Sequence, residues 1–301
     1  MPALLLHMTL AAELVKQPAP GPLAQAGRDA PDALLLGSVL PDLPYHGHFG
    51  HQLVRHFTGR PYLQSEWGDI LHTRGTGRLA LGLLRYLARS QLPRQERTRV
   101  LALAAGYLSH HAVDRTVHPV VNQMVNAARQ QNDPDPTIRI HERIERHQSL
   151  FYHRDLLGHD LVASAYPRQL VRRMAGSGLL RPALDPVLHD AFRSACLETH
   201  GRAPTDRDVS DWLRGTTRYA VLIASPLGRT ERVPPAQWER TRSRHYLGPR
   251  VDLLAPLHLA QQATLAAFDA AHQLLQADRM TAEARQIFLH HVPDVDLGMG
   301  V

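Results

Sequence analysis

The sequence contains very little cysteine and very little lysine. Cys196 is the only cysteine in 301 residues, which excludes a disulfide within the chain, a zinc ribbon and a cysteine-ligated cluster, and fits a reducing compartment. Lys16 is the only lysine among 34 basic residues, so arginine carries nearly all of the positive charge. Basic residues are scattered among acidic ones. Without a basic stripe, we expect no specific nucleic-acid partner.

Long apolar runs are also absent. No run reaches the roughly 18 apolar residues that a transmembrane helix needs, so none is expected. Residues 1–17 lack a basic start, and His7 interrupts their apolar run, so we expect no signal peptide and a cytoplasmic protein. The formal net charge of +6 is compatible with phosphate-bearing partners and with peripheral membrane contact.

The hydrophobic pattern is helical almost throughout. Apolar residues recur at three- and four-residue spacing, most extensively over residues 94–128, and no alternating strand pattern is convincing. Hydrophobic residues make up 44% of the chain, which suffices for a buried core. We therefore predict an all-α, compact multi-helix protein. Residues 1–160 should form its core, and residues 161–301 a helical extension packed on that core within one continuous domain.

Histidine is abundant, with 20 residues, and three of them lie close together on the longest predicted helix. The stretch GYLSHHAVDRTVHP (residues 106–119) contains His110, His111, Asp114 and His118. His110, Asp114 and His118 are spaced i, i+4 and i+8, so they share one face of a helix. His111, Asp114 and His118 are spaced i, i+3 and i+7 and share a face as well. The spacing alone therefore does not choose between His110 and His111. Apolar flanks indicate a central helix, where buried polar groups need partners.

Helix geometry limits how these residues could bind metal. Eight residues of helix rise about 12 Å, whereas zinc–ligand bonds measure about 2.0–2.2 Å. His110 and His118 therefore cannot easily hold the same ion, and Asp114 between them could bridge two. The spacing predicts a site with several ions, as in metal-dependent phosphoester hydrolases. The competing interpretation is a helix with solvated or hydrogen-bonded histidines.

Further candidate ligands lie on both sides of this helix. His141 and Glu145 are one turn apart on the next predicted helix, and with His118 they would make a zinc site with a position open to water. Upstream, His7 interrupts an apolar run, Asp42 lies in a loop after GSVLP, and His72 lies just before a helix. Taken singly, each of these residues has an ordinary structural interpretation. His141 and Glu145 could be a polar pair on the surface, and His7 a histidine of the core. Asp42 could be a turn aspartate and His72 a histidine at the start of a helix.

The order of these motifs resembles the zinc-dependent phospholipase C family, and most closely the intracellular bacterial members of the phospholipase C/D group. The motifs are MPALLLH, GSVLPD, GDILH, H-x-x-x-D-x-x-x-H-P and H-x-x-x-E, in this order within residues 2–145. A more distant similarity is to three-zinc fungal single-strand nucleases. The combination is specific, although no single motif is.

The resemblance implies two or three Zn²⁺ ions, and it selects His110 rather than His111 as the ligand. The implied ligands form three groups: His72, His110 and Asp114 with Asp42 at or near them; His118, His141 and Glu145; and His7 and Asp114 with the chain terminus at Pro2.

The resemblance also suggests roles for residues beside the implied ligands. The Pro2 contribution requires removal of Met1, which would free the terminal amine. His111 would pack beside the site or support it. His56 is the alternative to His72, because it lies in the same gap between Asp42 and the central helix. Tyr45 could line a substrate pocket or anchor the core.

The implied reaction is zinc-assisted hydrolysis of a phosphodiester, with phospholipid head groups as the expected substrates. Asp42 is the implied catalytic residue, which would orient or deprotonate the attacking water. Three alternatives remain from the sequence: a zinc-dependent nuclease or nucleotidase, a nucleotide phosphohydrolase built on the His159–Asp160 pair, and a non-catalytic helical metal-binding protein.

Overall fold

The structure is a computed structural model. It describes residues 3–16, 21–58, 60, 63, 65–158, 161, 165–174, 184–225, 233, 235–248, 251–277 and 280–299.

Fourteen α-helices account for nearly all regular structure in the described ranges, which confirms the all-α prediction. The only strands found there are two-residue segments, β1 (Leu247–Gly248) and β2 (Val251–Asp252), paired antiparallel. None of the helices in these ranges has the length and hydropathy needed to cross a membrane. The helices are α1 (Ala3–Lys16), α2 (Pro22–Asp29), α3 (Pro31–Gly37), α4 (Phe49–Phe57), α5 (Glu66–Thr73), α6 (Thr76–Arg89), α7 (Arg94–Gln130), α8 (Thr137–Leu157), α9 (Tyr166–Met174), α10 (Pro186–His200), α11 (Asp206–Ile223), α12 (Trp238–His245), α13 (Leu254–Gln276) and α14 (Ala282–His291).

Helix α7 is the centre of the molecule. Its middle third, including His110 and Asp114, is buried because α3 and α13 pack along it and α1, α2 and α8 contact it. One hydrophobic cluster contains side chains from Leu4 in α1 to Phe288 in α14, so helices from both halves of the chain share a core. Residues 159 and 160, where the predicted extension begins, lie outside the described residues.

Two glycines allow α3 to approach α7 backbone to backbone. A Cβ atom on Gly106 would lie 2.1 Å from the carbonyl oxygen of Leu34, and one on Gly37 would lie 2.0 Å from that of Leu103. Real Cβ atoms do not approach a carbonyl so closely, so both positions require glycine. The close crossing brings Ser38, just after α3, beside His110 of α7.

Replacing Gly106 with alanine should therefore lower the free energy of unfolding by about 1–3 kcal/mol, because the added methyl group overpacks the α3–α7 crossing. Urea unfolding of chelator-treated protein measures this change. Gly50→Ala is the matched control, since a Cβ there meets nothing within 4 Å and alanine favours the helix. Equal stability of Gly106→Ala and the unchanged protein would contradict the tight crossing.

A second hydrophobic cluster fixes α8 against α1 and α7. Ile140 and Ile144 of α8 are fully buried in it, together with Val121 of α7. His141 and Glu145 each follow one of these isoleucines in the sequence, so the buried face of α8 determines where both polar side chains point. This packing brings them to His118 on α7.

Candidate metal centre

Five separate parts of the chain bring the predicted ligands to one place. Helix α1 supplies His7, the turn before residues 43–46 supplies Asp42, and the last turn of α5 supplies His72. Helices α7 and α8 supply the others. Because α7 contributes three ligands from consecutive turns of one face, the cluster is elongated along that helix. The predicted ligands that the structure brings together are His7, Asp42, His72, His110, Asp114, His118, His141 and Glu145.

Asp114 is at the middle of this cluster and is 2% exposed. Its Oδ1 lies 3.0 Å from His7 Nε2 and 3.7 Å from His118 Nε2. Its Oδ2 lies 2.9 Å from His110 Nε2 and 3.8 Å from His72 Nε2. One buried carboxylate thus faces four imidazoles, which is the arrangement expected of a group that bridges metal ions.

Three sets of residues among those described have ligand atoms within 4.8 Å of one another. They differ from the predicted grouping in two respects, because His110 belongs to two sets and Asp114 belongs only to the set with His7. The chain terminus at Pro2, predicted to complete the His7 set, lies outside the described residues. The three sets are His7, His110 and Asp114; Asp42, His72 and His110; and His118, His141 and Glu145.

The third set lies one helical turn beyond Asp114. Glu145 Oε1 is 3.1 Å from His118 Nε2 and 3.2 Å from His141 Nε2, so both imidazoles meet at one carboxylate oxygen. Two nitrogens and a carboxylate oxygen are the donors that catalytic zinc sites use, with a fourth position left for water. The set is therefore chemically suited to Zn²⁺.

Backbone carbonyls orient three of the imidazoles. A ring nitrogen that faces a carbonyl must carry the hydrogen, because the carbonyl can only accept, and the neutral ring then presents its other nitrogen to a metal. In each case Nδ1 donates and Nε2 faces the cluster. The pairs are His72 with Gly68 (2.8 Å), His110 with Ser38 (3.0 Å) and His118 with Leu297 (2.5 Å).

Three buried polar atoms of the cluster, His7 Nδ1, Asp42 Oδ2 and His110 Nε2, have no hydrogen-bond partner. His110 Nε2 is 2.9 Å from Asp114 Oδ2, but its direction does not suit a hydrogen bond. Asp42 Oδ2 is also buried and unpaired, although Oδ1 lies 3.2 Å from His72 Nε2. Unpaired buried polar atoms are rare and costly, so each needs a reason. A bound cation would supply it, and the donor types present fit zinc.

The electrostatics favour ionised carboxylates. Burial by itself would raise the pKa of Asp42, but the charge of His110 and the hydrogen bond from His72 outweigh it and lower the pKa to about 2. For Asp114, burial is likewise outweighed by His110, His118 and His7, which hold its pKa well below the usual value. Both carboxylates therefore remain anionic acceptors at neutral pH.

The same contacts act in the opposite direction on the histidines. Burial would lower the pKa of His110, but Asp114 and Asp42 raise it to about 9. Burial is also outweighed at His118, where Asp114 and Glu145 raise the pKa to about 10. Without metal, these two imidazoles are cations paired with the carboxylates, and a metal ion must displace their protons.

The remaining candidates have different positions. Tyr45 packs beside the site, with its ring centroid 5.3 Å from that of His72 and its hydroxyl donating to Asp69. His111 points away from the cluster and donates from Nε2 to the Pro293 carbonyl. The side chain of His56 lies outside the described residues.

The residues that sequence reasoning missed are Ser38, Gly68 and Leu297, whose carbonyl oxygens accept hydrogen bonds from the imidazoles. They act through the backbone, so their side chains carry no signal for this role.

A family model described as zinc dependent phospholipase C matches residues 6–191, which is more than half of the chain. The match includes all eight side chains of the cluster, from His7 to Glu145. It ends before α11 and therefore excludes Leu297. No curated protein and no solved structure matches the chain significantly.

Proposed function

Because this chain belongs to the zinc-dependent phospholipase C family, we propose that it is a zinc-dependent phosphodiesterase that hydrolyses phospholipids at phosphorus. The proposed ligands of its two or three ions are the eight clustered side chains, with Asp114 shared between ions. Pro2 remains the predicted ligand from the chain terminus.

One observation carries the proposal: Asp114 faces four imidazoles, while a second carboxylate, Glu145, joins two imidazoles one turn farther along α7. A site for one structural ion needs four donors in a closed tetrahedron. Eight donor side chains, three of them carboxylates, instead suit several adjacent ions. Adjacent ions in a phosphodiesterase clamp the attacking and leaving oxygens of a displacement at phosphorus.

When bound, zinc ions would polarise the phosphate oxygens, acidify a water molecule and stabilise the leaving alkoxide. The chain's own residues determine how the reactants are held. His72, His110 and His118 keep Nε2 directed at the cluster because carbonyls fix their Nδ1 hydrogens. These fixed orientations pre-organise the donors before substrate arrives.

Asp42 is the proposed catalytic residue. Its Oδ1 contacts His72, so the side chain cannot turn freely, and its unpaired Oδ2 is available to accept a hydrogen bond from water. A carboxylate held ionised at neutral pH can orient a nucleophile in this way and accept its proton. Tyr45, packed on His72, is proposed to line the adjoining substrate pocket.

The test is metal analysis together with a substrate panel. Purified, zinc-loaded protein should contain more than one zinc per chain and should hydrolyse a chromogenic phosphodiester and dispersed phosphatidylcholine. His118→Ala should abolish both activities, whereas His258→Ala, at an exposed position of α13, should leave them unchanged. Zinc below one per chain would overturn the metal assignment.

The same panel separates the alternative functions. Faster hydrolysis of single-stranded oligonucleotides or 3′-nucleotides than of phospholipid would replace the phospholipase proposal with a nuclease or nucleotidase. Full zinc content with no turnover of any phosphodiester would instead indicate a non-catalytic metal-binding protein.

A further inference from the structure

The segment after α14 returns to the metal centre. We call residues Val292–Met299 the C-terminal strap. Val292 and Leu297 anchor it, being 1% and 0% exposed. The strap lies outside the region that the family model matches, and none of its residues is a candidate metal ligand.

Leu297 connects two of the metal-binding sets through its backbone. Its N–H donates to the carbonyl of His72 at 2.7 Å, and its carbonyl accepts from His118 Nδ1 at 2.5 Å. His72 belongs to the set with Asp42, and His118 to the set with Glu145. A single peptide segment therefore contacts ligands of two sets that lie on different helices.

Helix α6 holds the upstream part of the strap. The Thr76 hydroxyl donates to the Val295 carbonyl at 2.9 Å and accepts from the Val295 N–H at 3.0 Å. Asp294 accepts from the backbone N–H and from Nε of Arg78. Gly77 lies directly below, where a Cβ atom would be 2.1 Å from the Val292 carbonyl oxygen. The strap thus needs glycine at position 77.

Helix α7 holds the strap at both ends. His111 Nε2 donates to the Pro293 carbonyl at 2.9 Å, and Asn122 Nδ2 donates to the Gly298 carbonyl at 3.0 Å. His118 lies between these two residues on the same helix. The strap therefore follows α7 along the turns that carry the ligands.

From this geometry we propose that the C-terminal strap is a positioning element of the metal centre. The Leu297 carbonyl keeps the His118 hydrogen on Nδ1 and the ring in one orientation, and the Leu297 N–H ties the end of α5 to the same peptide. Groups that orient a metal-binding histidine in this way typically change metal affinity about 10- to 100-fold when removed. The inference rests on the proposed zinc centre.

Docking of the strap and binding of zinc should each favour the other. If strap docking favours zinc binding, then zinc binding must favour strap docking by the same free energy. Amide exchange of Leu297, whose N–H is bonded to His72, reports docking directly. Adding zinc to the zinc-free protein should slow exchange at Leu297 more than at amides of α13.

Gly77→Ala is the sharpest test, because the added methyl group displaces the strap and removes no ligand. Zinc affinity, measured by chelator competition, should fall about 10- to 100-fold. In the zinc-loaded variant, histidine ¹⁵N spectra should show that His118 no longer holds its hydrogen on Nδ1 alone. Gly50→Ala is the control, since that position has open space.

Asn122→Ala provides a variant that leaves the core intact. It removes the hydrogen bonds from Asn122 to Gly298 and Met299 of the strap, and Gln123→Ala, at the exposed neighbouring position, is its control. Only Asn122→Ala should weaken zinc binding and speed Leu297 exchange. A folded Gly77→Ala variant with unchanged zinc affinity would overturn the inference. Absence of zinc from the unchanged protein would instead refute the proposed metal centre.

Discussion

Replacing Asp114 with asparagine is expected to cause a severe loss of function, as His118→Ala should. The carboxylate faces four imidazoles, so its charge contributes to more contacts than any other candidate ligand. Phosphodiester hydrolysis should fall by at least about 10²–10³-fold, the loss typical of removing one pre-organised electrostatic group. Zinc content should fall, while the set around Glu145, which does not include Asp114, should keep its ion.

The same substitution should destabilise the zinc-free protein. Asp114 offsets the charges of His110 and His118, and asparagine would leave these buried cations with fewer anionic partners. Breaking a buried ion pair on one side commonly costs about 3–5 kcal/mol. Urea unfolding of chelator-treated protein at pH 7 measures the loss of stability. Metal analysis of the zinc-loaded variant measures the loss of zinc.

Asp269→Asn is the matched control, because Asp269 is an exposed aspartate on α13. It should retain zinc content, hydrolysis and stability. Full zinc content and activity in Asp114→Asn would contradict the central position of Asp114, and would leave the three sets as independent groups of polar side chains.

The sequence predicted the helices and the cluster for the same physical reason. Side-chain spacing on a helix is fixed, so His110, Asp114 and His118 had to share a face of α7, and apolar flanks required that helix to be central. Helix spacing could not predict that these residues lie beside His7, Asp42 and His72. Residues so far apart in the chain meet only through tertiary packing, and here the family resemblance supplied the expectation.

Other features of the site have no recognisable pattern in the sequence. Ser38 and Leu297 contact His110 and His118 through carbonyl oxygens, which every residue possesses. The close crossing at Gly106 depends on the atoms of α3, more than 60 positions away in the chain. His111 illustrates the limit: its spacing matched a ligand as well as His110 did, yet its Nε2 binds the C-terminal strap.

Zinc binding should release about two protons near pH 7.5. In the zinc-free protein, the carboxylates outweigh burial and raise the pKa of His110 to about 9 and that of His118 to about 10, so both rings are protonated. Zinc needs the lone pair of each Nε2, so both protons must leave. Calorimetric titration with zinc in buffers of different ionisation enthalpy counts them, with His258→Ala as the control.

The two forms of the protein should consequently respond to pH in opposite directions. The apparent affinity of each ion bound through His110 or through His118 should fall about tenfold for each unit that pH drops below about 8, since one proton competes with the metal at each ring. In the zinc-free protein, the raised pKa values stabilise the fold fully below pH 6.5, and this contribution is lost as pH rises through about 9 and 10. Alkaline pH should therefore weaken the zinc-free fold while strengthening zinc binding. Zinc affinity that is independent of pH between 6.5 and 8.5 would contradict protonated His110 and His118, and with them the tight pairing of these rings to Asp114.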